Sequence, residues 1–133
     1  CTLNNVITPV DTSGTVGQHT SITLGSDNLP IISYFDATNG DLKVAHCGNL
    51  DCTASVITTV DQGSVSSNGT VAIVGQHTSI TLGSDNLPII SYYDFTNGDL
   101  KVAHCGNLDC TLNNVITPVD TSGTVGQYTS ITS

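Results

Sequence analysis

The chain has 133 residues and a formal net charge of −9, set by eleven aspartates against two lysines, with no Glu, Arg, Met or Trp. That balance excludes nucleic acid and anionic membrane surfaces as partners, because both need Lys and Arg to displace counterions. No apolar run approaches the eighteen residues of a membrane-spanning helix, and the wealth of Ser, Thr, Asn, Gly and Val favours strands and turns over helices.

In chain order, residues 6–10 match the last strand of the later units. Residues 20–24 alternate polar and apolar, the period-two pattern of a half-buried strand. The turn Gly25-Ser26-Asp27-Asn28 follows, built from residues that accept left-handed backbone or cap it with side-chain oxygens. Residues 30–36 form the most apolar strand, with Ile31, Ile32, Tyr34 and Phe35. Asn39-Gly40 then predicts a type I′ hairpin with positive φ at both positions. The third strand covers 41–47 and the fourth 56–60, matched by 6–10 and 115–119. Pro9 and Pro118 fall inside that fourth strand, which marks it as the outer edge of the sheet.

The pattern then repeats. Residues 17–53 return at 75–111 with only Phe35→Tyr93 and Ala37→Phe95 changed, and residues 1–23 return at 110–132 with only His19→Tyr128 changed. The chain divides into repeat 1 (1–51), repeat 2 (52–109, with a loop inserted near 63–72) and a partial repeat 3 (110–133). Beginning and ending inside a repeat suggests a piece of a longer array, or a protomer completed by a neighbour. Four strands in about fifty residues match a blade of a β-propeller or a propeller-like array. A β-solenoid is the alternative, although its parallel coils are not joined by two-residue turns.

Cys47 and Cys52 bracket Gly-Asn-Leu-Asp, as do Cys105 and Cys110. Cys1 aligns with Cys52 and Cys110, so its partner is expected just upstream. A hairpin disulfide fits this spacing better than a metal site of His46, Cys47 and Cys52, which lacks the second ligand pair of zinc motifs. Such bridges imply an oxidising location outside the cytoplasm.

The run VDTSGTVGQHTSITLGSDNLPIISYFDATNGDLKVAHC resembles a repeat of secreted bacterial and archaeal proteins. Residues 29–43 and 87–101 carry the most specific part of the match. The resemblance implies β-propeller blades on exported or surface proteins, mostly without an assigned activity. Asn28 and Asn86 stand where such repeats often have glycine, and the fourth strand lacks their frequent tryptophan.

Chemistry-bearing groups are copied from unit to unit, which favours building over catalysis. Asp36, Asn39 and Asp41, with Asp94, Asn97 and Asp99, crowd oxygens around a turn as calcium ligands do, but the spacing is not an EF-hand and hairpin chemistry accounts for it. His19 and His77 become Tyr128 in the third copy, so packing or hydrogen bonding suits them better than metal ligation; structural roles are also expected for His46 and His104. Tyr34, Phe35, Tyr92, Tyr93 and Phe95 are candidate sugar-stacking residues, with core packing as the competing use. Asn68-Gly69-Thr70 is a formal glycosylation sequon. No distinguished carboxylate pair, nucleophile elbow, Walker loop or HExxH is present, so neither an enzyme nor a cofactor is expected. The expected role is a non-enzymatic extracellular scaffold, structural or adhesive, whose repeats stack on further repeats or on copies of itself into a larger propeller, oligomer or filament. The alternative is a lectin-like propeller that binds glycans.

Overall fold

The computed structural model describes residues 3–133, so the expected pairing of Cys1 lies outside the described residues. Two antiparallel four-stranded meanders account for all the regular structure, with no helix among the described residues. The first sheet runs β1 (Val16–Leu24), β2 (Pro30–Asp36), β3 (Asp41–Cys47), β4 (Ser55–Asp61); the second runs β5 (Val74–Leu82), β6 (Pro88–Asp94), β7 (Asp99–His104), β8 (Val115–Asp120). Antiparallel pairing throughout is incompatible with the parallel coils of a solenoid. Each sheet straddles a sequence-repeat boundary, because β4 and β8 begin after residues 52 and 110.

The first strand is longer than the 20–24 alternation predicts. It begins at Val16 because a β-bulge between Gln18 and Ser21 carries the ladder through a break in the alternation. His19 sits in that bulge at φ 54°, and His77 repeats it in β5 at φ 53°. Residues 6–10 are not a strand. Their counterparts β4 and β8 each pair with the third strand that precedes them, and among the described residues no third strand pairs with 6–10.

The β2–β3 connection is not the two-residue type I′ turn expected of Asn39-Gly40. Asp36 pairs with Asp41 across a four-residue loop closed by Gly40 N donating to Asp36 O at 2.8 Å. The Asp36 carboxylate accepts from the backbone of Thr38 and Asn39 and from Asn39 Nδ2, which fixes a helix-like turn and leaves only Gly40 left-handed, at φ 81°. At the β1–β2 turn, Asn28 and Asn86 adopt φ of 62° and 63°, the conformation for which glycine is the common alternative.

β5 lies across β1, β2 and β3, so the second sheet packs on one face of the first. The core between them joins Ile31, Leu42, Val44 and Val60 to Val74, Ile80, Ile90 and Tyr92. β4 and β8 are the outer edges, and Pro118 sits opposite Lys101 where its missing N–H costs no ladder bond to a further strand.

Candidate functional site

The described residues converge chemically where each sheet meets the segment or sheet that precedes it. Tyr34 and Lys43 are directly opposed on β2 and β3, so their side chains share a face. Asp11 reaches that face from the segment before β1: its Oδ2 accepts from Tyr34 Oη at 2.7 Å and from Lys43 Nζ at 2.8 Å, with Asp36 a further 3.7 Å contact for the lysine. The second repeat duplicates this latch, and there the carboxylate comes from the first sheet. Asp61, at the end of β4, accepts from Tyr92 Oη at 2.6 Å and Lys101 Nζ at 2.7 Å, and Asp94 lies 3.7 Å from the lysine. Both lysines of the chain are thus spent on one repeated contact.

The electrostatics follow from enclosure. Burial works to raise the Asp61 carboxyl, yet hydrogen bonds from Lys101, Tyr92 and the Gly63 backbone outweigh it and hold the group below the usual carboxylate range. Asp11 behaves likewise under Lys43, Tyr34 and Ser13. Burial, with the facing carboxylate, pushes the hydroxyls of Tyr34 and Tyr92 far up, so they remain donors. An aspartate that couples a lysine and a tyrosine of the next sheet joins units more firmly than apolar contact alone, since removing one member strands a buried charge.

A second set of contacts runs along the inner strands. Thr78 Oγ1 donates to Ser33 Oγ at 2.9 Å, Ile80 N donates to Ser21 Oγ at 3.2 Å, and Val74 N donates to Gly40 O at 2.9 Å. Gly75, at φ 94°, passes so close to Leu42 that a Cβ would stand 2.6 Å from its Cα. Residues 125–131 repeat these contacts on the second sheet: Ser91 Oγ donates to Thr129 Oγ1 at 2.9 Å, Ile131 N donates to Ser79 Oγ at 3.1 Å, Val125 N donates to Gly98 O at 2.9 Å, and Gly126 abuts Leu100. His19, His77 and Tyr128 consequently line up, with ring centroids 4.4 Å and 4.2 Å apart. The tyrosine occupies the next rung of one ring column. Burial, and then the neighbouring His19, lowers the His77 pKa.

The disulfides Cys47–Cys52 and Cys105–Cys110 close the hairpins after β3 and β7 and fit an oxidising environment. The second hairpin also clamps the first sheet. Its Asp109 lies 2.6 Å from His46 Nδ1, and the Asp109 carbonyl accepts from Thr58 Oγ1 at 2.7 Å, while Asp27 sits 3.0 Å from His46 Nε2. His104 faces Asp85 at 2.8 Å.

The other sequence candidates are dispersed. Tyr34, Phe35, Tyr92 and Tyr93 are all buried, because both faces of β2 and β6 are covered; strict alternation would have turned one aromatic of each pair outward. Phe95 alone is exposed, edge-on to Tyr93. Asp94, like Asp36, accepts from its turn, through Asn97 N and Nδ2, while Asp41 and Asp99 are paired in the ladder at the strand starts. Asn68 lies in the exposed inserted loop, where its side-chain oxygen accepts from Thr70 N at 3.1 Å. Comparisons with family models, curated proteins and solved structures return no match.

Sequence reasoning missed the Asp–Tyr–Lys latch. A signal was present: the two lysines stand at one register of the repeat, opposite a tyrosine, and each repeat carries a Val-Asp ahead of its first full strand.

Proposed function

We propose that this protein is a non-enzymatic extracellular scaffold, structural or adhesive, whose four-stranded blades stack into a propeller, closed oligomer or filament. The carrying observation is that one interface is used twice. The residue pairs by which β5 contacts the first sheet recur for residues 125–131 on the second, and the Asp61 latch recurs at Asp11. A contact that each module both offers and accepts propagates, and whether the stack closes depends on the rotation per module. The resemblance to exported propeller repeats and the two hairpin disulfides support a location outside the cell. A glycan-binding role has less support, because the tyrosines that would stack on sugars are buried with their hydroxyls committed to aspartates. Electron microscopy of the purified protein tests the reading: rings or fibres are expected, and a uniform field of single small particles would count against it.

A further inference from the structure

The first sheet keeps an open copy of the surface that the second sheet buries. Ile22 on β1 is 63% exposed, whereas Ile80, its equivalent on β5, is 5% exposed. A Cβ on Gly17 would meet nothing within 4 Å, although Gly75 in the same backbone conformation is pressed against Leu42. Beside Gly17 lies a cavity of about 220 Å³, walled by Val16, Thr20, Ile32, Tyr34 and Ala45. In the second repeat the corresponding space is where Leu42 of the first sheet sits, against Gly75. The cavity is therefore the imprint of a leucine-bearing third strand.

Leu100 on β7 is the counterpart of Leu42, and residues 125–131 cover it as a strap through Gly126. That strap differs from residues 16–22 only at Tyr128, which replaces His19. The sequence around each latch aspartate is also shared: residues 6–18 and 115–127 are identical, so Asp120 is the equivalent of Asp11.

We propose that a second copy of this chain docks head-to-tail by exchange. Its β1 replaces the strap on β6 and β7 of the first copy. Leu100 of the first copy fills the cavity beside Gly17 of the second, and Asp120 of the first takes over Tyr34 and Lys43 of the second from Asp11. This rests on the self-stacking reading above and specifies its surfaces. The exchange conserves the latch, carboxylate for carboxylate, and its gain is the apolar face of β1 carrying Ile22 and Leu24, now exposed.

Sedimentation of the full chain over a range of concentration tests the exchange, alongside Ile22→Asp and Asp120→Asn. Both side chains are exposed in the single copy, and an unchanged thermal melt shows that each variant is folded. The expected result is wild-type mass that rises in whole copies, with association weakened at least about tenfold in Ile22→Asp and measurably in Asp120→Asn. If Ile22→Asp fails to fold, Asp120→Asn decides alone. Wild type that stays at one copy at every concentration overturns both the exchange and the self-stacking reading. Wild type that assembles while the folded variants assemble equally well overturns the exchange alone.

Discussion

The nine residues VGQHTSITL occur as β1 and again as β5, with the same bulge and the same left-handed histidine, yet they live in different surroundings. β1 is largely exposed along its length, and β5 is largely enclosed because it lies on the first sheet. Local sequence thus sets the strand, its bulge and its turn. Burial is decided by whether another module is present on that side. The lesson is energetic: the same isoleucine contributes little in β1 and about 1.5–3 kcal/mol in β5, by the usual scale for burying an aliphatic side chain.

Matched substitutions in the two environments sharpen this contrast. The largest effect belongs to the latch. Asp61→Ala leaves Lys101 and the Tyr92 hydroxyl enclosed without their acceptor, and urea unfolding is expected to show a loss of about 3–5 kcal/mol. Asp11→Ala should cost less, since each lysine keeps its second carboxylate at 3.7 Å but the Asp11 site borders the open cavity. Gly75→Ala comes next, at about 2–4 kcal/mol, from left-handed strain plus a collision with Leu42 backbone; Gly17→Ala carries only the strain, about 1–2 kcal/mol. Equal losses at the two glycines would remove the steric part of the argument. Replacing Cys105 and Cys110 by serine is expected to lower stability by about 2 kcal/mol on loop entropy, and to loosen the clamp of Asp109 on His46, which the His46 imidazole resonances in NMR would report.

The smallest effect is the dependence on pH above the carboxylate range; within that range acid titrates the latch itself. Asp11 and Asp61 titrate lower in the fold than in the unfolded chain, so their contribution is complete above the unfolded value of 3.8 and drains away as pH falls below it. His77 also titrates lower when folded than its unfolded 6.5, so its contribution is complete above that value and declines as pH falls through it. Unfolding midpoints should accordingly be flat above 6.5, fall gently toward 4 and fall steeply below. His77→Gln should remove the gentle part and spare the steep one.

The four strands of each unit were legible because periodicity and turn residues are local properties. β2 and β3 coincide with residues 30–36 and 41–47, and the proline-bearing strand is the edge. The bulge at His19 was hidden because a non-glycine residue with positive φ interrupts the alternation without a marker in composition. Asn39-Gly40 misled because the Asp36 carboxylate, three residues upstream, captures the turn's backbone donors and lengthens the loop. The aromatic pairs looked half available for ligands because period two describes a strand with one covered face, and β2 and β6 are covered on both. The repeated register of the two lysines hinted at the latch, but its partner was hidden because Asp61 and Lys101 lie forty residues apart and meet only when one sheet stacks on the next.

The most direct test places one charge in the two copies of the strand. Ile80→Asp and Ile22→Asp alter the same local sequence, and urea unfolding of dilute protein compares them on equal terms. Stacking as the source of burial predicts a severely destabilised or unfolded Ile80→Asp beside an Ile22→Asp whose midpoint stays close to that of the wild type. Matching losses in the two variants would contradict it.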